Sequence, residues 1–404
     1  MSLKIKLYNT LTASKEEIIT KDSDVVKMYV CGPTVYNRPH LGNARSIVVY
    51  DLLFRLLKQS FKEVIYVRNI TDVDDKINKE AKQQGISISQ LTTQITKLFH
   101  ADIKALNTLP PTIEPKATDN ILEMIEMVKK LIEKKHAYVV NGNVLFDVSS
   151  YQKYGQLSHR DPLKLMAGAR IEIADYKKNP LDFVLWKPSN EDDDVSSIFD
   201  SPWGKGRPGW HIECSAMSSK YLGVNFDIHG GGADLQFPHH ENEIAQSCCA
   251  HENSSYARYW VHNGFLTVNG EKMSKSLKNF VTVFDLLQQN INGVAIRLML
   301  LSSHYRKPLD FNAKSLSDAQ KTLEKFNKII AETKLIFKDQ YNLIDFVNDK
   351  HISQEVLESL SDDLNFSKTL ACLHNLVKKI KDQPNEIIHR QQLIASLNFL
   401  GLIS

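Results

Sequence analysis

The chain has 404 residues, 42% of them hydrophobic and 24% charged, which excludes a disordered or fibrous protein and is too long for one ordinary core. Its 50 Lys and Arg face 47 Asp and Glu, a formal charge of +3, too mild to define a polyanion-coating protein yet compatible with a local basic face. Five irregularly spaced cysteines make no disulfide framework, Met1 to Thr20 has no apolar signal core, and no run of ~18 apolar residues offers a membrane span, so a reducing cytoplasm is the expected location. A monomer is the expected state.

In chain order, Val25 to Val30 reads as a short buried strand, followed by a turn at Cys31-Gly32-Pro33-Thr34. Ile47, Tyr50, Leu53, Phe54 and Leu57 then recur at helical spacing between about Gly42 and Gln59, and Val64 to Val67 is a second strand. Strand, helix, strand argues for a βαβ unit in a parallel sheet, with ligands at the carboxyl ends around Cys31 to Asn43 and Asn69 to Asp75. Ile77 to Lys135 is mostly helical, broken at Pro110-Pro111, and Tyr138 to Val148 is a hairpin around Asn141-Gly142-Asn143. The stretch to Trp203 is loop-rich, and its acidic run, Glu191 to Asp194, reads as solvated. Past about Asn312 the pattern is helical to the end, with Leu323, Phe326, Ile329 and Ile330 on one face.

Three constellations carry chemistry. Pro39-His40-Leu41-Gly42-Asn43 lies at a helix start, where free N–H groups and partial positive charge suit a phosphate, although a capping His is the ordinary reading of such a turn. Gly270 to Asn279 sets Lys272, Lys275, Ser274 and Ser276 on one loop, a set that can grip a triphosphate as pyrophosphate leaves. The third is Cys31, Cys214, His239 and Glu243, two thiols, an imidazole and a carboxylate of the kind that hold zinc; His239 and Glu243 are spaced i, i+4 for one helical face. Their scatter along the chain defines no site by itself, and each alone reads as a satisfied core residue. The neighbouring Cys248 and Cys249 read as core or surface.

His40-Leu41-Gly42-Asn43 resembles the HIGH motif of class I aminoacyl-tRNA synthetases, with Asn43 in place of the second His, and Lys272 to Ser276 reproduces the KMSKS motif. The blocks Met28 to Tyr36, Asn69 to Ile77, Arg207 to Cys214 and His229 to Glu243 are similar to those of the cysteinyl-tRNA synthetase family, over about residues 5 to 310 and more loosely beyond. That resemblance implies an α/β fold: a Rossmann-type catalytic domain in two halves, 1–114 and 206–311, around an inserted domain at 115–205, then a helical bundle at 312–404 without the family's usual small anticodon module. It implies one Zn²⁺ on Cys31, Cys214, His239 and Glu243, which would also bind the substrate thiolate. By the same resemblance His40, Gly42, Asn43, Asp234, Lys272 and Lys275 contact ATP, which travels with Mg²⁺, and His40, Asn43, Lys272 and Lys275 are catalytic. Gly32, Thr71, Trp210 and His229 contact the amino acid.

The reaction so implied is attack of the L-cysteine carboxylate on the α-phosphate of ATP, then transfer to tRNA(Cys), steps that need positioning and charge stabilisation more than a protein nucleophile. Two alternatives stand beside it. One is the related cysteine ligase of mycothiol biosynthesis, which passes cysteine to an amino-sugar; Glu243 and Trp210-His211-Ile212-Glu213-Cys214 follow the synthetase form instead. The other is a non-catalytic module that binds nucleotide or RNA, against which the intact Lys272, Lys275 and metal-type residues speak.

Overall fold

β-Branched and aromatic runs make the central strands, and apolar residues on nearly every face bury the helix between the first two of them. The computed structural model describes residues 3–20, 22, 24–159, 176–190, 193–273, 279–337 and 346–403. An antiparallel hairpin, β1 (Lys6–Asn9) and β2 (Ser14–Glu17), precedes β3 (Val25–Val30), α1 (Leu41–Ser60) and β4 (Glu63–Arg68). These last three form the expected βαβ unit, with Val26 opposite Val64 and Val30 opposite Arg68. α2 (Asp75–Gln84) and α3 (Ile88–Ala105) follow, and then α4 (Ile121–Glu133) after the Pro110-Pro111 break.

The expected hairpin is β5 (Ala137–Val140) and β6 (Asn143–Phe146), turned through Asn141 and Gly142 at φ 49° and 76°. It grows into a four-stranded antiparallel sheet through β7 (Phe183–Pro188) and β8 (Gly206–Pro208). Sequence reading treats this stretch as loop because Leu185 and Trp186 sit in a short run that lacks alternation. Both are fully buried. Of the acidic run, Glu191 and Asp192 lie outside the described residues, while Asp193 pairs with Arg207 at 2.7 Å and is 14% exposed, so this carboxylate is not a freely solvated one.

α5 (Trp210–Leu222) leads to β9 (Phe226–Gly232), α6 (Glu241–Ala250) and β10 (Ala257–Asn263). β9 pairs with β3 on the side away from β4, giving the parallel order β10-β9-β3-β4. The chain direction across the sheet therefore reverses between β3 and β9, and a crevice opens outside their carboxyl ends at that point. A small sheet of β11 (Leu266–Val268), β12 (Glu271–Lys272) and β13 (Leu309–Phe311) flanks α7 (Val283–Gln288) and α8 (Gly293–Leu301) in the sequence.

The helices α9 (Ala313–Ile336), α10 (Gln354–Ser361), α11 (Phe366–Asp382) and α12 (Ile387–Phe399) complete the chain. Their buried faces are continuous with the catalytic core: Phe326, Leu360, Leu393 and Leu397 belong to the same apolar cluster as Val49, Leu52, Leu53 and Ile296. No helix among the described residues is long and apolar enough to cross a membrane.

Candidate active site

The reversal between β3 and β9 brings the metal-type side chains together. Cys31 follows β3, Cys214 sits in α5, Glu243 opens α6, and His239 lies in the tight turn of Gln236–His240 ahead of it. The expected i, i+4 proximity is present, but Phe237 leaves helical geometry, so His239 belongs to that turn and not to the helix proper. Cys31 Sγ is 3.7 Å from Cys214 Sγ and 3.5 Å from both His239 Nε2 and Glu243 Oε1, and those last two atoms are 3.0 Å apart. All four donors lie within 4.8 Å of one another. Two sulfurs each about 2.3 Å from a tetrahedral zinc stand about 3.8 Å apart, so spacing and donor chemistry both fit a thiophilic divalent ion.

A second grouping, Cys31, His229, His240 and Glu243, shares two of these donors. It holds one sulfur instead of two, and its His229 Nε2 is committed to Glu243 Oε2 at 2.8 Å, which makes it the weaker set.

Charge inside the cluster is arranged for a cation. Burial alone would raise the Glu243 carboxyl, yet the imidazoles of His229 and His239 hold it well below the usual range. Burial would lower His239, but Glu243 and Cys214 bring it up to about 10. The Cys31 thiol, donating to Cys214, brings that sulfur down to about 6 against burial, while burial and the same contact push Cys31 well up. A divalent ion binding there would displace the protons that these groups share.

A surrounding layer fixes these donors. Glu243 Oε2 accepts from Tyr256 Oη at 2.7 Å as well as meeting His229, which leaves Oε1 for the cluster. His239 Nδ1 lies 2.8 Å from His211 Nδ1, and its ring stacks on Trp210 at 4.1 Å between centroids. Such outer contacts set ring orientation and ligand basicity. His211 and His240 adjoin residues singled out from the sequence, so proximity within the motif could have flagged them. Tyr256 has no such signal, since it ends an ordinary polar loop before β10.

The four residues expected at the amino acid occupy different positions. Trp210 is half-buried against His239, with its ring toward the cluster. Thr71 is buried, accepting from Asn69 Nδ2 and donating to Glu213 Oε2 at 3.0 Å. His229 is wholly buried and stacks on Trp260, so it orients Glu243 and does not line an open pocket. Gly32 supports the end of β3: its N–H donates to Asn69 Oδ1 at 2.8 Å, and a Cβ there would fall 1.6 Å from the Asn69 carbonyl oxygen. Gly32→Ala is therefore expected to displace Cys31 and to reduce bound metal about tenfold or more at a limiting concentration. Metal content by mass spectrometry checks this, and full occupancy would refute it.

On the nucleotide side, His40 caps α1, its Nδ1 accepting from the Asn43 N–H at 3.2 Å. Burial lowers His40 to about 4, against the opposing pull of Asp234, so it is neutral at pH 7 and presents Nε2–H as a donor without a charge. Gly42 admits the His40 ring close to the backbone, 2.9 Å from where a Cβ would stand, and Met273 comes within 3.9 Å of the same point. The segment that follows the second motif thus reaches the first: Leu41 N donates to Val281 O at 3.0 Å, and the His40 and Phe280 rings are 5.1 Å apart. Asp234 is exposed at the end of β9, and Lys272 is exposed on β12. Lys275, with Ser274 and Ser276, lies outside the described residues. Cys248 and Cys249 are absent from the cluster, Cys249 being buried in the core.

Residues 17–321 match the family described as the class I (C) tRNA synthetase catalytic domain. Among solved structures, a leucyl-tRNA synthetase from Agrobacterium radiobacter in a ternary complex aligns over 94% of this chain and 83% of its own, with TM-score 0.64 and 11% identity. A Mycobacterium tuberculosis methionyl-tRNA synthetase with methionyl-adenylate aligns over 93% and 89%, with TM-score 0.61 and 14% identity. Fold and family match together define a class I aminoacyl-tRNA synthetase. Two relatives go further: the Rickettsia bellii cysteine–tRNA ligase is 53% identical over 100% of this chain and 86% of its own length, and that of Ehrlichia canis is 53% identical over 98% and 86%. The chain belongs to the cysteine–tRNA ligase family.

Proposed function

We infer that this enzyme selects L-cysteine through a zinc ion, activates it with ATP and loads it onto tRNA(Cys) in the cytoplasm. The observation that carries this reading is the meeting of Cys31, Cys214, His239 and Glu243 at the β3–β9 crevice. Zinc held by those four residues would supply a soft Lewis acid for the substrate sulfur, an interaction that a serine hydroxyl reproduces poorly. Selection by unmatched ligation exceeds the roughly 10- to 200-fold reached by pocket size alone.

The chain's own groups do the rest. Glu243 and His239 stay oriented through Tyr256, His229 and His211, and Trp210 bounds the cysteine side chain. Asp234 accepts from the ribose hydroxyls of ATP. Neutral His40 and the Asn43 amide donate to phosphate oxygens at the start of α1, where the helix also offers free N–H groups. Lys272 and Lys275 offset the charge that grows on the departing pyrophosphate, whose Mg²⁺ enters with ATP. The amino-sugar acceptor of the mycothiol pathway finds no support, since the relatives at half identity over the whole chain are cysteine–tRNA ligases.

The test is cysteine-dependent exchange of pyrophosphate into ATP, followed by charging of tRNA(Cys). Lys272→Ala should slow exchange about a hundredfold while leaving metal content intact. Exchange at the parent rate in that variant would remove Lys272 from the mechanism, and no exchange in the parent protein would sink the function.

A further inference from the structure

One buried cation lies outside both the metal cluster and the ATP residues. Arg45 stands in the second turn of α1, just past His40 and Asn43, and is fully buried. Burial brings its guanidinium down to about 10, so it stays cationic at pH 7, and no carboxylate pairs with it among the described residues. Its bonds go to neutral oxygens instead. Nη1 donates to the Gly264 and Phe265 carbonyls at 2.9 and 2.6 Å. Nη2 donates to the Lys307 carbonyl at 2.7 Å and to Ser303 Oγ at 3.1 Å, with the His304 and Tyr305 carbonyls at 3.4 Å.

Those two segments are the roots of the sheet that bears Lys272. Phe265 leads into β11 and Lys307 into β13, and the two strands run parallel with Leu266 opposite Leu309. The roots also bond each other, the Gly264 N–H to the Tyr305 carbonyl at 2.7 Å and the Leu309 N–H to the Phe265 carbonyl at 2.9 Å. Farther along, Asp310 Oδ1 on β13 accepts from Thr267 Oγ1 at 2.8 Å and from the Gly270 N–H at 2.7 Å. That carboxylate fixes the turn, with Gly270 at φ 81°, from which Lys272 returns opposite Thr267. From α1 to Lys272 the path is therefore one guanidinium, two strand roots and one carboxylate.

An apolar side chain would fill the space beneath these roots without desolvating a charge that no acid offsets. What it lacks is reach. The planar guanidinium donates in two directions at fixed angles, whereas a lysine ammonium is a single point that cannot hold both segments. We propose that Arg45 is a positioning residue for amino-acid activation: acting through β11, β13 and Asp310, it sets Lys272 at a fixed place relative to His40 and Asn43. This rests on the function inferred above. Arg45 touches no reacting atom; it aligns the groups that stabilise the leaving pyrophosphate, where a displacement of about 1 Å costs about a hundredfold in rate.

Cysteine-dependent pyrophosphate exchange by the full chain tests this. Arg45→Lys should lower kcat about tenfold or more, while KM for cysteine and bound metal stay at parent values. Asp310→Ala, at a half-buried position, opens the same path and should show the same split; it carries the test alone if the lysine variant does not fold. A double-mutant cycle with Lys272→Ala separates positioning from plain loss of stability. Adding either substitution to Lys272→Ala should slow exchange by no more than about twofold further, whereas independent lesions would multiply. Multiplying effects, or parent kcat in either single variant, would overturn the positioning role. Absence of cysteine-dependent exchange in the parent would overturn the function beneath it instead.

Discussion

Cys214→Ser should abolish stoichiometric metal binding and lower cysteine-dependent pyrophosphate exchange about a thousandfold or more. Cys214 is 1% exposed, and its sulfur touches Cys31 while His239 and Glu243 close the same small volume. Serine is nearly isosteric, so the fold should survive and the lesion stays chemical. Its hydroxyl does not ionise near neutral pH and is a hard oxygen donor, so one of two soft ligands is lost. Two measurements decide the matter, metal per chain by mass spectrometry and exchange at saturating ATP. A variant that keeps both a full complement of metal and the parent exchange rate would falsify the cluster as the amino-acid selector.

Arg297→Met should destabilise the enzyme by about 3–5 kcal/mol, the largest stability loss expected from a single site away from the cluster. Arg297 on α8 is fully buried and meets Asp51 of α1 at 2.5 Å. Its Nε donates to the Leu400 carbonyl at 2.8 Å and its Nη1 to the Leu106 carbonyl at 3.3 Å. One guanidinium thus ties the catalytic helix, the segment after α3 and the segment after α12. Methionine fills much of the volume yet leaves the Leu400 carbonyl without its donor and Asp51 with Arg55 and the Leu109 N–H alone. Urea unfolding followed by circular dichroism measures the loss, and a shift below about 1 kcal/mol would show that those partners suffice.

Some of this was open to sequence reading for simple reasons. Val25–Val30, Leu41–Ser60 and Glu63–Arg68 were legible within a residue or so, because buried parallel strands read as short apolar runs and α1 repeats at helical spacing. The turn at Asn141-Gly142 declared itself through residues that accept positive φ. β7 escaped notice, since it is paired by β6 and β8 and shows no alternation. His229 was grouped with the substrate residues, but its full burial behind Glu243 depends on Trp260 and Tyr256 from a later strand and loop.

The division has a physical cause. Local chemistry, meaning which side chains can ligate, cap or stack and which segments repeat at strand or helix spacing, belongs to the sequence, and resemblance of its motif blocks named the family. Whether Cys31 and Cys214, 183 positions apart, share a contact depends on β9 pairing with β3. That pairing is a non-local result of burying a whole sheet, and it alone settled which scattered groups became one site and which carboxylate oxygen faces it.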